Sequence, residues 1–522
     1  MASIREPLIP EFYKGKDVFI TGATGFMGKV LVEKLLRSCS DIGRIFVLMR
    51  SKGGLSPQER LQELLSAEIF DALRSAKRDF TKGKVVALEG DLTLPDLGLS
   101  ARDKDLLLEN TQLIFHSAAI VKFDEPLKSS MDMNVLGTRR LLRLCQSMKK
   151  LKVFVHISTA YCNCDKMDVS EIIYPSPFDP QNVINAVRWM EDDVIEAITG
   201  QLLGTRPNMY IFTKALAETL VANERGNVPV AIVRPSIVTA AWKEPIPGWV
   251  DSINGPTGLL VASGKGLLRS MLADPDKAAD FVPVDTVINT MIVVAWHTAT
   301  RMPKGIPVYH CASGTVCRLT WGDMETVAYP HLLSNPMPHA VRFPGGSFKK
   351  SKLLNTLSMF LEHQCLAQVY DIYLWLSGRK PKMFKLFNKL YKVMISLEYF
   401  TTHEWKFGCQ NIFALIKELS PEDRKVFSVD LRSIDWGSYL KNYVLGARKF
   451  ILKDDPTTVH EARLTLKRLY IYERLAFIAI LFFVGRLLAW KLKPDRKIVI
   501  ATMTLCSLLS SCYSNSHYGQ KE

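Results

Sequence analysis

Between residues 16 and 240, short apolar runs alternate with longer segments in which apolar side chains recur at helical spacing. The short runs are continuous and rich in Val, Ile and Phe, which is typical of strands buried on both faces. The helical segments between them predict an α/β fold with a doubly wound parallel sheet. The six predicted strands are Asp17–Thr21, Arg44–Met49, Lys84–Glu89, Gln112–Phe115, Val153–Ile157 and Val230–Val233.

Three glycines at Gly-x-x-Gly-x-x-Gly spacing follow the first strand and open a helical pattern. Gly22 allows a sharp turn, Gly25 lets the backbone approach a pyrophosphate, and Gly28 lets helix and strand pack closely. A glycine turn without a ligand is the alternative, since the spacing differs from the broader Gly-x-Gly-x-x-Gly fingerprint. The position directly after a strand favours a dinucleotide site, with an expected lining of Thr21, Gly22, Thr24, Gly25, Phe26, Met27 and Gly28.

The end of the second strand favours NADP(H) over NAD(H). Enzymes that prefer NAD usually carry Asp or Glu there to bind the ribose 2′-hydroxyl, whereas this chain carries Arg50 with Lys52 close by. A guanidinium suits a 2′-phosphate, although a solvated basic turn competes with this interpretation, more for Lys52 than for Arg50. After the third strand, Asp91 could accept from the adenine amino group or simply cap a turn. Leu92 and Ala118 complete the predicted cofactor contacts.

Hydroxyl side chains end the fifth strand, and a tyrosine and a lysine begin a later helix. Ser158 and Thr159 lie where a substrate carbonyl could be held. Tyr210 and Lys214 are four residues apart, so they share one helical face. A nearby ammonium stabilises a phenolate, so we expect the pKa of Tyr210 to lie below its usual value of about 10. Such a tyrosine is a usable proton donor near neutral pH. A Tyr/Lys pair often arises by chance, but here it follows three other features of one site.

Together these motifs resemble the extended short-chain dehydrogenases/reductases, whose fold is Rossmann-like. The resemblance implies that Tyr210 is the general acid and that Lys214 tunes it and binds the nicotinamide ribose. It also implies that Thr159, with Ser158 as the second candidate, orients the carbonyl. Asn134 would support the proton relay, although an Asn early in a helix could simply be a cap.

A loop and two C-terminal stretches narrow the resemblance. Trp242–Gly258 is similar to a segment typical of eukaryotic fatty acyl-CoA reductases; a surface loop is the alternative. Leu366–Tyr373 and Asp435–Tyr443 resemble the C-terminal domain of the same reductases. The predicted organisation is an NADP-binding extended short-chain reductase domain over 10–345, a helical C-terminal domain over 355–457, a membrane anchor segment over 469–490 and a basic and apolar tail over 491–522.

This resemblance implies NADPH-dependent reduction of a long-chain fatty acyl-CoA to a primary alcohol, with release of CoA, for ether-lipid or wax synthesis. Reduction of a thioester to an alcohol takes two hydrides, so two NADPH are consumed. One alternative keeps the fold and makes the substrate a sterol or another ketone in a membrane-bound dehydrogenase. Another is a non-catalytic tail-anchored scaffold that binds NADP(H), against which the intact Tyr210, Lys214 and Thr159 argue.

Composition indicates a globular protein with a basic charge balance. The chain has 522 residues, 48% hydrophobic and 23% charged, and a net charge of +15, which fits solubility, a phosphate-rich ligand or an anionic membrane. A length of this kind favours two or more domains. No run of basic and aromatic residues resembles a nucleic-acid groove. Ten scattered cysteines lack metal-site spacing, so we expect reduced thiols, a cytosol-facing protein and no metal.

The C-terminal tail is the ambiguous part of the chain. Leu475–Gly485 is strongly apolar, Arg486 interrupts it, and apolar residues resume to Trp490. A bilayer span needs about 20 apolar residues, so this segment spans only if Arg486 snorkels. The alternatives are a re-entrant hairpin with a second apolar run, Ile498–Cys512, which the positive-inside rule prefers, and a buried core helix. We expect a peroxisomal membrane with the catalytic domain facing the cytosol, or alternatively the endoplasmic reticulum membrane; a homo-oligomer stays open.

Overall fold

A seven-stranded parallel sheet forms the centre of the N-terminal region in the computed structural model. The structure describes residues 8–76, 81 and 83–492, and for 487–492 the backbone alone. The strands run in the order β3-β2-β1-β4-β5-β6-β7. Their bounds are Asp17–Thr21 (β1), Ile45–Met49 (β2), Val85–Glu89 (β3), Thr111–His116 (β4), Val153–Ile157 (β5), Val230–Pro235 (β6) and Val308–Cys311 (β7).

The predicted doubly wound parallel sheet is confirmed, and the six predicted strands lie within two residues of β1 to β6. Every residue of β1, β2 and β5 is buried, which explains their unbroken apolar runs. The strand order reverses between β1 and β4, so a crevice opens at the carboxyl ends of these two strands. The sequence pattern did not predict β7, a four-residue strand that pairs with β6 at the sheet edge.

Helices cover both faces of the sheet. Three of them place the site or fill the core: α1 (Phe26–Ser38), α2 (Met209–Glu224) and α3 (Val284–Arg301). The remaining α-helices are Leu8–Tyr13, Pro57–Ser66, Asp71–Ala76, Ala101–Asn110, Leu127–Met131, Gly137–Gln146, Pro180–Trp189, Asp192–Leu203, Pro256–Gly264, Trp321–Ser334, Lys352–Met359, Cys365–Leu376, Met383–Thr402, Gln410–Glu418, Pro421–Val426, Trp436–Gly446 and Val459–Leu492. Three short parallel strand pairs join Ile237–Thr239 to Phe281–Pro283, Ser270–Leu272 to Ser347–Lys349, and Asp168–Val169 to Lys406–Phe407.

The helical C-terminal region packs directly against the sheet region. Its residues between 412 and 450 belong to the same hydrophobic core as β1, β2 and α3. The buried Tyr439 hydroxyl donates to the carbonyl of Ala240 at 2.8 Å, and that of Tyr443 lies 2.7 Å from the Thr257 hydroxyl. The Asp423 carboxylate accepts from the backbone at the first described helix. The two regions therefore share one core.

The predicted anchor segment, 469–490, lies within the helix Val459–Leu492. Among the residues that the structure describes, no helix has both the length and the apolar composition of a membrane span. Residues 493–522, which hold most of the predicted tail, lie outside the described residues.

Candidate active site

A cleft of 790 Å³ runs along the carboxyl ends of β1, β2 and β4. Its floor is the glycine turn, where Gly22 adopts a φ of +80° and a Cβ there would lie 2.7 Å from the backbone nitrogen of Ala118. A Cβ at Gly28 would lie 2.2 Å from the carbonyl oxygen of Gly22, so both positions require glycine. Helix α1 begins after Gly25 with no side-chain cap, which leaves its first N–H groups facing the cleft.

The predicted cofactor residues converge on this cleft. Its walls include Thr21, Gly22, Thr24, Gly25, Phe26, Met27, Gly28, Arg50, Asp91, Leu92 and Ala118. At one end, Arg50 Nη1 lies 3.3 Å from the Asp91 carboxylate. Burial opposes the charged form of Asp91, but hydrogen bonds from Thr93 and the Arg50 guanidinium lower its pKa overall. Asp91 is thus an anion that orients Arg50 at the cleft.

The Pro/Gly-rich loop, residues 242–258, closes the cleft from above. Trp249 stacks on Phe26, the first residue of α1, with ring centroids 5.5 Å apart. Asp251 pairs with Lys29 of α1 at 2.7 Å. The buried Asp285 carboxylate at the start of α3 accepts three backbone N–H bonds from residues 242–244, which fixes the start of the loop. The loop is therefore part of the site.

Tyr210, Lys214 and Thr159 meet at the other end of the cleft, where they line an adjoining cavity. Asn208 caps α2, which presents Tyr210 and Lys214 on one face. The Thr159 hydroxyl faces the Tyr210 phenol, whereas Ser158 faces the carboxylate of Glu218. Thr159 is therefore the hydroxyl that interacts with Tyr210, and Ser158 lines the same cavity with a hydroxyl that has no hydrogen-bond partner among the described residues.

The pKa of Tyr210 differs from our expectation. Burial raises it above the usual value, and the hydrogen bond with Thr159 offsets only part of the rise. The Lys214 ammonium donates to the carbonyl of Ile157 at 2.6 Å. Burial lowers the pKa of Lys214 to about 8, although the carboxylate of Glu218 opposes the shift. Burial sets the direction of the shift at this site, so Tyr210 is a neutral hydrogen-bond donor.

Asn134 holds a wall of the site in place. It lies in a single π-helical turn, Asp132–Leu136, and is buried. Its side chain accepts from the N–H of Ile120 at 2.8 Å and donates to Thr213 on α2 at 3.0 Å. Asn134 therefore ties the segment after β4 to the helix of Tyr210 and is not a helix N-cap.

An apolar cavity of 240 Å³ meets the cleft at Tyr210. The two spaces share Met27, Val121, Phe123, Tyr210 and Pro256 in their walls. A second apolar cavity, of 100 Å³, shares Leu259 and Trp321 with the first. The spaces thus lie in series, with Tyr210 and Thr159 where the polar cleft becomes apolar.

Two family models described as male sterility protein match residues 20–291 and 362–454. Fatty acyl-CoA reductase 1 of Homo sapiens is 45% identical over 461 residues, which cover 88% of this chain and 89% of that protein. Fatty acyl-CoA reductase 2 of Bos taurus is 41% identical over 515 residues, 98% of each chain. The chain belongs to the fatty acyl-CoA reductase family.

Solved structures support the fold of this reductase. The reductase domain of a non-ribosomal peptide synthetase from Mycobacterium tuberculosis aligns with a TM-score of 0.56 at 19% identity, covering 84% of this chain and 92% of that one. The terminal R domain of the myxalamid pathway gives 0.54 at 20% identity, covering 83% and 90%. Both matches extend beyond the nucleotide-binding half.

Sequence reasoning missed part of the wall of the reductase site. Val121 and Phe123 follow β4, and the rule that ligands bind at the carboxyl ends of central strands could have found them. Leu397 and Phe400 come from the helix Met383–Thr402 and line the cavity with Tyr210. No local pattern marks these two, because their place in the site depends on packing across the chain.

Proposed function

We propose that the protein reduces long-chain fatty acyl-CoA to a primary alcohol and releases CoA, with NADPH as the electron donor. The observation that carries this proposal is the junction at Tyr210, where a cleft lined by a phosphate-binding turn meets an apolar cavity. The first space has the glycine turn that a dinucleotide needs, and the second has the apolar walls that an acyl chain needs. The relatives named fatty acyl-CoA reductase support the same substrate.

The nicotinamide cofactor supplies hydride, one for each of the two reduction steps. The glycine turn and the uncapped start of α1 would hold its pyrophosphate. Arg50, oriented by Asp91, would pair with the 2′-phosphate of NADPH. Lys214 would bind the ribose on the nicotinamide side.

In this proposal, Tyr210 and Thr159 hold the acyl carbonyl oxygen by hydrogen bonds. The neutral Tyr210 donates its proton to the alkoxide that develops on that oxygen. Lys214 keeps a positive charge near Tyr210. Ser158 supports the end of β5, and Asn134 holds the segment after β4 against α2. The loop over 242–258 keeps water from the reacting carbon. The first reduction gives a hemithioacetal, whose C–S bond breaks to release CoA as its thiol. The aldehyde that results stays in the apolar cavity for the second reduction.

The test is NADPH oxidation by the detergent-solubilised protein with acyl-CoA substrates of about 12 to 24 carbons, the range of bilayer acyl groups. We expect a primary alcohol, identified by mass spectrometry, with two NADPH consumed per product. Turnover of a sterol or a ketone without turnover of any acyl-CoA would move the function to the dehydrogenase alternative. NADPH binding without any turnover would point to the scaffold alternative.

The pH dependence should report Lys214. Because its pKa is lowered to about 8, the ammonium is present below that pH and is lost as the pH rises through it. We expect kcat/KM to fall tenfold per pH unit above about pH 8. Lys214→Arg keeps its charge, so any activity it retains should lack this basic limb. A wild-type profile flat to about pH 10 would contradict the role of Lys214.

Cofactor choice should depend on Arg50. Arg50→Ala removes one charge-assisted contact, so we expect KM for NADPH to rise about tenfold and KM for NADH to change little. Arg102→Ala is the matched control, because Arg102 is an exposed arginine outside the walls of the cleft. Initial rates with each cofactor at saturating acyl-CoA measure the KM values for NADPH and for NADH. An equal rise for the two cofactors would assign Arg50 to the turn alone.

We further propose that the segment 469–490 anchors the protein in the peroxisomal membrane, with the catalytic region in the cytosol, to supply alcohols for ether lipids or waxes. A membrane location suits a substrate and a product that partition into lipid. The endoplasmic reticulum is the alternative, and imaging of the full-length tagged protein with markers of both organelles separates the two.

A further inference from the structure

Residues 352–402 form a long antiparallel helical hairpin, here called the hairpin. Its first arm runs from Lys352–Met359 through Phe360–Gln364 into Cys365–Leu376, and its second arm is Met383–Thr402. The Asp371 carboxylate accepts the N–H groups of residues 382–384 at 2.8 Å each. This contact fixes the turn between the two arms.

The hairpin exposes a large apolar surface. Leu353 is 79% exposed, Leu376 is 72% exposed and Trp375 is 68% exposed. Other large apolar side chains exposed on the hairpin are Leu354, Leu357, Phe360, Leu361, Leu366, Val369, Tyr370, Ile372, Tyr373, Leu386, Tyr391, Val393 and Ile395. Soluble proteins rarely expose so many contiguous apolar side chains, so we expect this surface to be an interaction surface.

The turn and the second arm carry a positive charge that no neighbour neutralises. Residues 372–397 contain no Asp or Glu. The basic residues are all exposed, and the described part of the chain pairs none of them with a carboxylate within 4.0 Å; they are Arg379, Lys380, Lys382, Lys385, Lys389 and Lys392. A surface that combines apolar and cationic side chains complements anionic lipid headgroups over acyl chains.

The base of the hairpin reaches the apolar cavity. Met359 and Met394 pack against Leu259 and Leu268, and Phe400 lines the cavity beside Tyr210. The hairpin therefore connects the reaction site to the exposed apolar surface.

Two arginines join the C-terminal helix Val459–Leu492 to the hairpin. Arg342 lies 3.6 Å from the Glu473 carboxylate of that helix and donates to the carbonyl of Glu362 at 2.7 Å. Arg269 pairs with Glu473 of that helix and with Glu362 of the hairpin, the latter at 3.5 Å. The helix also exposes apolar side chains, among them Leu475 and Phe483. Two elements with exposed apolar surface thus share Arg269 and Arg342 as anchoring contacts.

We propose that the hairpin docks on a phospholipid bilayer that carries anionic headgroups. Its apolar side chains enter the acyl layer of one leaflet, and its lysines lie at the level of the phosphates. A second copy of the chain is the other candidate occupant, but segment 372–397 contains no Asp or Glu, so a symmetric contact through it would bring two cationic surfaces together. This docking is separate from the proposed anchor and does not depend on the identity of the acyl substrate.

The test is hydrogen–deuterium exchange of the full-length protein, read by mass spectrometry peptide by peptide. It compares phosphatidylcholine vesicles with vesicles that also contain phosphatidylserine. We expect peptides within 366–393 to exchange more slowly with the anionic vesicles than with the neutral ones. Because each peptide reports its own segment, the signal from the hairpin stays separate from any signal of the C-terminal helix, and no enzyme activity is needed.

Two variants examine the two parts of the surface. Lys385→Glu/Lys389→Glu/Lys392→Glu should lose most of the additional protection that anionic vesicles give. Trp375→Ser/Leu376→Ser should lose the protection of the hairpin with both kinds of vesicle. The matched control, Lys14→Glu/Lys304→Glu/Lys425→Glu, reverses three exposed lysines elsewhere and should behave as wild type. Unchanged exchange in β1 to β6 verifies that each variant is folded.

Three outcomes would overturn the proposal. The first is equal exchange of the hairpin with and without vesicles. The second is protection without vesicles that rises with protein concentration, which would assign the surface to a second copy. The third is an equal loss of protection in the charge variant and in its control.

Discussion

Replacing Tyr210 with Phe is expected to lower the rate of alcohol formation by about 10²- to 10⁴-fold, while NADPH still binds. The substitution removes one hydroxyl and keeps the ring. The ring is held by apolar packing that Phe can reproduce, including a stacked contact with Phe123 at 6.4 Å between centroids. The loss should therefore fall on the proton transfer and not on the fold.

The physical reason is that the other polar side chains described in this cavity are poorer proton donors for the substrate oxygen. Lys214 donates to the carbonyl of Ile157, and the Thr159 hydroxyl is no stronger an acid than the alcohol that forms, so it offers no driving force for the transfer. Tyr161 lines the same cavity, but its ring packs edge-on against Phe400 and Trp405. With Phe at 210, the alkoxide that develops on the substrate oxygen has no proton donor in contact. We expect kcat to fall far more than KM for the acyl-CoA rises, because the missing interaction is strongest in the transition state.

The measurement is steady-state NADPH oxidation together with quantification of aldehyde and alcohol. Tyr161→Phe is the matched control, since Tyr161 is a buried tyrosine of the same cavity that packs edge-on against Phe400 and Trp405. It should keep most of its activity. If Tyr210→Phe kept more than about a tenth of the wild-type kcat, the proton would have to come from another group.

The sequence was sufficient to predict the cofactor half of the site because its signals are local. Strands buried on both faces leave unbroken apolar runs, and the glycine turn lies directly after β1. The carboxyl ends of neighbouring parallel strands meet at one edge, so Arg50, Asp91 and Thr159 could be placed near one cleft from their positions in the chain.

The acyl half of the site could not be predicted in the same way. Leu397 and Phe400 reach Tyr210 from a helix almost 190 residues away in the chain, and helical periodicity does not indicate which element a helix contacts. The predicted direction of the Tyr210 pKa shift was wrong for a related reason. Its spacing from Lys214 was correct, but the degree of burial, which decides the direction of the shift, is a property of the packed fold.

A buried ion pair behind the catalytic helix leads to the second large prediction. Glu218 lies one turn after Lys214 on α2, and Arg234 lies on β6; both side chains are fully or almost fully buried, and their closest charged atoms are 2.5 Å apart. Arg234 also donates to the carbonyl of Ile172 at 2.8 Å. The pair thus joins α2, β6 and the segment after β5.

Glu218→Gln should lower the free energy of unfolding by about 3–5 kcal/mol, because it leaves the guanidinium of Arg234 buried without a counter-charge. Burial opposes the charged form of Glu218, but Arg234 lowers its pKa overall. The stabilisation is therefore present above the unfolded value of about 4.3 and is lost as the pH falls through the lower folded pKa. Urea unfolding at neutral pH measures the effect, and the double variant Glu218→Leu/Arg234→Met should recover part of it.

The matched control is Glu109→Gln, which breaks the exposed pair of Glu109 with Lys149 and should leave the urea midpoint unchanged. An equally small change for Glu218→Gln would mean that water reaches Arg234 in solution. The pair also bears on the reaction, because the Glu218 carboxylate is the charge that keeps the pKa of the buried Lys214 from falling further. In Glu218→Gln, the basic limb of the pH profile should therefore move to lower pH, in the same variant that loses stability.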